Sequence, residues 1–342
     1  MRKLNKPLYN VRDYYITCLN GFRGEKLKHR FQSCIDTVES ATSIYEEKAQ
    51  EHKLFEVVVS YNDYASIAVS KTELKKLYEY QVAKKDRPGR TIYDELLLLP
   101  LNKMCPFCSV GRVRNLDHFL PKAYLPIYSV VPINLVPSCR DCNQDKNADV
   151  PTKPSEQTLH PYFDDVSEIQ WLYARVAEEA IPPVIEYFTD VSAITPSELA
   201  TKVVAHFYAY NLGEIFSERA AEELSNISHE CSMQLLNGGA NILKQHLREK
   251  KYTYEKNYKN AWQVAMYEAL EQSSWFYNGG FVDGVIVENQ DNVREDSICG
   301  TCKGDVTFIC PDCVFKKTEE CLTCRGAGIL EKSSCPECKG LG

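Results

Sequence analysis

Six Cys-x-x-Cys pairs punctuate the 342-residue chain, and they limit its fold more than any other feature. Twelve of the fifteen cysteines fall in these pairs. Thiolates at this spacing suit tetrahedral zinc, whereas a disulfide framework needs an oxidising compartment. The opening Met1-Arg2-Lys3-Leu4-Asn5-Lys6-Pro7 is basic but has no apolar stretch behind it, so no signal peptide is read and a cytoplasmic protein is expected. Cys18, Cys34 and Cys231 stand apart from the pairs among helical residues, and read as buried thiols.

The length allows two or three domains, each with its own core. No apolar run reaches membrane-spanning length; the longest candidate, Leu96 to Leu101, is interrupted by Pro100. The net charge of −7 argues against nucleic acid until it is divided along the chain. Residues 1–30 hold eight basic against two acidic side chains, and residues 100–150 hold six against four. Residues 151–290 hold ten against twenty. Phosphates would therefore meet the N-terminus and the 100–150 segment, and the acidic stretch is freer to face a protein partner.

Four segments emerge. Residues 1–99 read as a basic arm of about 20 residues followed by helices. Leu27, Phe31, Ile35, Val38 and Tyr45 recur at near-helical spacing, predicting one helix from Glu25 to Leu54. Ser70-Lys71-Thr72-Glu73 predicts a capping box opening a helix to about Lys84, stopped by Arg87-Pro88-Gly89. A short helix over Thr91 to Leu98 leads to the first cysteine pair. Residues 100–150 hold the site candidates. Within 151–290, the runs 169–176 and 183–188 read as a hairpin, followed by helices over 196–210, 212–236, 239–251 and 255–276. Thr195 is the expected N-cap of the first of these, with Pro196 at its first helical position. Residues 291–342 form a linker and a cysteine-rich tail. The fold class expected is α+β: a mainly helical chain with a zinc-clamped ββα core and a small two-zinc hairpin domain.

The chemistry concentrates between the first two cysteine pairs. Cys105, Cys108, Cys139 and Cys142 make one Cys₄ zinc site. It brackets Asn115-Leu116-Asp117-His118 and, further on, Asn134. Hydrolysis of a phosphodiester needs an activated water, a cation on the developing charge and a rigid frame. His118 titrates in the range of a general base. Asp117 offers a hard carboxylate oxygen for Mg²⁺ or Mn²⁺, with Asn143 as a second oxygen ligand. Asn134 is placed to hold the histidine-bearing loop through its backbone.

The strings CPFC at 105–108, LDHFLPK at 116–122, NLVPSC at 134–139 and CRDCNQDK at 139–146 resemble the HNH (ββα-metal) endonuclease family. The order and residue types match over about 50 residues, with Asn143 where many members carry His. The resemblance implies a metal-dependent endonuclease cutting DNA, with Lys146 as a phosphate contact; Lys122, Arg112 and Arg114 are further phosphate candidates. RNA as the substrate, or an adaptor with a degenerate core, are the alternatives. The basic opening and the position of the core also resemble the nuclease subunit of Septu-like anti-phage systems, which works with an ATPase. No Walker A sequence occurs in the chain, so ATP dependence would come from a partner.

In the tail four pairs recur: Cys299 with Cys302, Cys310 with Cys313, Cys321 with Cys324, and Cys335 with Cys338; the third and fourth are followed by both glycines of the repeat, the first by one and the second by none. Eight thiolates suit two closed zinc sites. The repeats resemble the cysteine-rich domain of DnaJ chaperones. That resemblance implies that the first and fourth pairs share one zinc, that the second and third share the other, and that the domain binds a protein or nucleic acid. Three zinc ions are thus expected in all. His160, Asp164 and Asp165 follow the core closely and read either as a turn anchored on it or as extra metal ligands. His206 reads as packing. His229 and Cys231 have no convincing further ligands near them in the sequence, so they are not read as a metal pair.

Overall fold

The computed structural model of the chain describes residues 1–59, 68–146, 150–178 and 182–282, and two short strands at 307–309 and 329–331. Its first helix, α1 (Val11–Leu19), begins where the Asn10 side chain accepts the Asp13 amide. The expected arm of about 20 residues is therefore only half as long. Tyr14, Tyr15, Cys18 and Leu19 are all buried along α1, which an extended arm could not achieve. Nor is the basic opening free. The Arg2 amide donates to the Pro106 carbonyl at 2.7 Å and the Leu4 amide to the Pro161 carbonyl at 2.8 Å. Lys6 is paired with Glu46.

The single helix expected from Glu25 is two, α2 (Glu25–Gln32) and α3 (Ile35–Gln50). At the junction, the Ser33 hydroxyl and Cys34 thiol both donate to the Arg30 carbonyl, competing with the backbone ladder. After α4 (Leu54–Val59), Ser70 and Glu73 form the reciprocal capping box of α5 (Lys71–Leu77). That helix continues into a π-helical turn over Tyr78–Val82. The next helix, α6 (Arg90–Leu97), starts after Gly89.

Strand β1 (Asn115–His118) pairs antiparallel with β2 (Leu135–Ser138), so that Asn115 faces Ser138 and His118 faces Leu135. Helix α7 (Arg140–Asp145) follows β2 directly, with the Cys139 sulfur accepting the Cys142 amide at its start. Strands β3 (Leu172–Ala177) and β4 (Val184–Thr189) pair in a second two-stranded sheet. In α8 (Ser197–Ala209) the cap is Pro196 rather than Thr195, because the Pro196 carbonyl accepts the Leu199 and Ala200 amides. The next two expected helices form one element, α9 (Leu212–Glu255), broken at Gly239, whose φ of 71° lies in the region that glycine alone enters freely. Helices α10 (Trp262–Gln272) and α11 (Ser274–Tyr277) complete the helical part. In the tail, β5 (Thr307–Ile309) pairs antiparallel with β6 (Ile329–Glu331). The fold is thus mostly helical with small antiparallel sheets.

Two compact units divide the chain. The first comprises 1–172, 189–214 and 258–261; the second comprises 173–188, 215–257 and 262–342. The first holds the cysteine clamp, both strands around it and the N-terminal helices within one body. In the second, the Tyr187 hydroxyl donates to the Trp262 carbonyl and Ser217 to the Ile185 carbonyl, fastening β4 to the helices. Among the described residues, no helix is long and apolar enough to cross a membrane.

Candidate metal centre and the Asp117–His118 strand

Cys105, Cys108, Cys139 and Cys142 are buried with their sulfur atoms all within 4.8 Å of one another. The Cys108 and Cys139 sulfurs are 3.9 Å apart, far beyond a disulfide bond. Two thiolates about 2.3 Å from a tetrahedral zinc lie roughly 3.8 Å apart, so this donor set fits zinc. Local backbone shapes the clamp. The Cys105 amide donates to the Gly111 carbonyl at 2.8 Å, and the Gly111 amide donates to the Cys108 sulfur at 3.3 Å. A Cβ on Gly111 would lie 2.7 Å from Cys139 Cβ and 2.8 Å from its sulfur, so the position requires glycine. His206, expected as packing, is buried with Nε2 2.9 Å from the Phe107 carbonyl, which ties α8 to the first cysteine turn.

His118 closes β1. Its Nε2 lies 2.9 Å from the Ser129 carbonyl, and a carbonyl only accepts, so Nε2 carries the proton. Nδ1 is then the bare nitrogen, and it has no hydrogen-bond partner among the described residues. Burial pushes the imidazole down to about 3; the Ser129 bond opposes this, and the Lys122 and Lys146 ammonium groups add to it. The ring is therefore neutral near pH 7, but burial weakens its hold on a proton below that of the free imidazole on which the sequence expectation rested. Helix α5 and the π turn hold it from one side. The Ser129 hydroxyl donates to the Leu74 carbonyl at 2.9 Å, and the Tyr78 ring meets the imidazole edge-on with centroids 4.4 Å apart.

Asp117 and Lys146 form an ion pair at 2.9 Å with side chains 12% and 9% exposed. Burial raises the Asp117 carboxyl from its ordinary value, and Lys146 counteracts it. The same ammonium donates to the His118 carbonyl at 2.8 Å and the Phe119 carbonyl at 2.7 Å. These three acceptors match its three protons, so Lys146, expected from the sequence as a phosphate contact, braces the end of β1 from within. Asn143 lies half-buried on α7, one turn before Lys146 and hence on the same side of the helix. Its side chain makes no hydrogen bond among the described residues. Asp117 and Asn143 both offer hard oxygen, a donor set suited to Mg²⁺ or Mn²⁺.

Asn134 is fully buried and bridges the loop after His118. Its Oδ1 accepts the Leu120 amide at 2.7 Å, and its Nδ2 donates to the Leu120 and Tyr128 carbonyls at 3.0 and 3.1 Å. Behind it stands a polar chain that runs into the core. His160 Nδ1 accepts the Tyr162 amide, so Nε2 carries the proton and donates to the Tyr45 oxygen at 2.9 Å. Tyr45 in turn donates to Asn134 Oδ1 at 3.2 Å. Asp164 accepts the His160 amide at 2.6 Å, lies 2.8 Å from His52 Nδ1, and is paired with buried Lys202. Burial would raise the Asp164 carboxyl, but Lys202, His52 and the His160 amide outweigh it and hold the group low. His160 and Asp164 thus anchor the turn against the core, and Asp165 caps Ser167 at its edge. None of the three belongs to a metal-ligating cluster among the described residues.

Among the other sequence candidates, Lys122 pairs with Glu79 at 3.0 Å and stands 4.9 Å from the centre of the Tyr78 ring. Arg112 and Arg114 flank the clamp, Arg112 exposed and Arg114 with its amide donating to the Ser138 carbonyl at 2.9 Å. Cys18, Cys34 and Cys231 are buried free thiols. The two zinc sites expected in the tail fall on Cys299, Cys302, Cys310, Cys313, Cys321, Cys324, Cys335 and Cys338. All eight lie outside the described residues, so the four-cysteine clamp is the metal-ligating cluster found among the described ones. Sequence reasoning missed Tyr45, Tyr78, Ser129 and Gly111. The first three act through contacts distant in the chain; only Gly111, three residues after Cys108, left a local trace.

No protein-family model matches the chain, and no solved structure matches it. Protein ea31 of Escherichia phage lambda is 33% identical over 229 residues, which cover 62% of this chain and 75% of that protein. At that identity and coverage, the chain belongs to the same family as phage lambda protein ea31.

Proposed function

We propose that the chain is a metal-dependent endonuclease of the HNH type that hydrolyses DNA phosphodiesters. One observation carries the reading: the antiparallel pair β1 and β2 runs into α7 around a four-cysteine clamp, with Asp117 and His118 at the end of β1. In this frame the Ser129 carbonyl fixes the His118 tautomer, so that Nδ1 takes the proton of the attacking water. Asn134, in the turn before β2, holds the loop from 118 to 128, and Lys146 fixes the Asp117 carboxylate against the same loop. A divalent cation held by Asp117 and Asn143 would supply charge stabilisation at the scissile phosphate. The clamp has four protein ligands and no open position, so its part is structural. The tail and the acidic helices suit a protein partner, such as the ATPase of a bacterial anti-phage defence system.

A second reading follows from Lys146. Its three internal acceptors and the neutralised Asp117 also suit an adaptor whose core keeps the nuclease framework without the reaction. Plasmid and RNA cleavage in Mg²⁺ or Mn²⁺, with wild type and His118→Ala, separates these readings. Metal-dependent DNA cleavage lost in His118→Ala, with zinc content unchanged, supports the nuclease. Cleavage retained by the variant removes His118 from the reaction, and a folded, zinc-loaded wild type inert on both substrates favours the adaptor.

A further inference from the structure

We propose that the outer side of residues 76–85, together with Arg23, is the surface on which duplex DNA lies. The inference rests on the nuclease reading for its substrate, but its residues lie outside the reacting group. The inner side of this segment buries Leu74, Leu77, Tyr78 and Val82, and carries the Leu74–Ser129 and Tyr78–His118 contacts. The outer side is of opposite character. Lys76 and Tyr80 are exposed one turn apart, and Lys84 and Lys85 are exposed in the turn that follows. Tyr80 is 50% exposed, in a region where the neighbouring Tyr78 is buried.

Basic groups outnumber free acidic ones on this face. Glu73 is taken by Arg30 and Glu79 by Lys122, which leaves Asp86 as the remaining acidic group of the segment. Lys76, Lys84 and Lys85 have no acidic partner among the described residues. The chain folds a further cation beside them. Arg87 donates to the Gly21 carbonyl at 3.4 Å, and a Cβ on Gly21 would fall 1.8 Å from the Gln81 amide oxygen. That close approach brings the turn holding exposed Arg23 against the π turn. Unpaired ammonium groups on α5 and on the turn that follows the π turn suit a rigid polyanion, and Lys122 links the face to His118 through Glu79 and Tyr78.

The test compares wild type with K76A/K84A/K85A, at exposed positions whose change leaves the core intact. Binding is read by fluorescence anisotropy of a labelled duplex in Ca²⁺ across a salt series, with single-stranded DNA and duplex RNA as separate arms. The slope of log K against log salt should fall by about 0.9 for each lost phosphate contact, so by about 2–3 in the triple variant. Duplex affinity should fall at least tenfold at moderate salt, and in cleavage KM should rise with kcat kept. An unchanged duplex slope and affinity overturns the proposal even if the protein cuts DNA. An effect confined to the single-stranded or RNA arm, or no duplex binding by wild type, overturns it as well. If wild type binds but does not cut and the variant loses slope, the surface stands and the nuclease reading falls.

Discussion

The Lys146 ammonium sits 2.9 Å from Asp117 Oδ2 and also donates to the His118 and Phe119 carbonyls, so one cation fastens the last turn of α7 to the end of β1. Lys146→Ala would leave Asp117 buried without its counter-charge and two carbonyls without their donor. A stability loss of about 3 kcal/mol or more is expected, as for one partner removed from a buried pair. Urea denaturation measures it. A loss below about 1 kcal/mol, the level of a surface pair, would show the brace to be dispensable.

Gly111→Ala should weaken zinc at the clamp, since the new methyl group meets the Cys139 side chain while the Gly111 amide is already bonded to Cys108. A competition titration with a chromophoric chelator should show at least a tenfold loss, within the range known for residues that support metal ligands. Elemental analysis of wild type should give three zinc ions per chain. Removing Cys105 and Cys139 together should lower that number by one.

Tyr45→Phe deletes one hydroxyl that joins two buried groups, the His160 imidazole and the Asn134 amide. The His160 N–H would be left unpaired, at a cost of about 1–3 kcal/mol. Thermal unfolding reports the loss. If Asn134 depends on Tyr45 for its orientation, loop 118–128 should also exchange amide hydrogens faster in the variant.

Acid should unfold the first unit early. Burial pushes His206 down to about 3, and pushes His160 well below its ordinary value against the opposing charge of Asp164. Each histidine is therefore neutral in the fold and takes up a proton on unfolding at pH values below about 6.5. Their contribution is complete above that value and is lost as pH falls toward the folded values, at up to about 1.4 kcal/mol per pH unit each. Asp164, held low by Lys202, adds a further loss below about pH 4. Denaturant midpoints at pH 7.5, 6 and 5 should decline steadily; a flat profile over this range would show that these histidines are not buried as neutral groups.

The four-cysteine clamp was legible in the sequence because its signal is local. Cys-x-x-Cys spacing and the capping box at Ser70 and Glu73 each occupy a few consecutive residues. Zinc geometry and hydrogen bonding between near neighbours make such patterns specific. Only the tertiary structure decided which groups support them. Tyr45 reaches Asn134 and Tyr78 reaches His118 across long stretches of chain, and Ser129 meets His118 only once the loop between them has folded back; such contacts follow from packing rather than spacing. The same limit explains why the N-terminal arm was misjudged and why the buried partners of Lys146 were not read. Sequence counts their charges, but whether a cation meets solvent or a buried carbonyl depends on which surface the fold lays against it. Tyr14, Tyr15 and Leu19 turn half of the expected arm into a buried helix, and the end of β1 turns Lys146 inward.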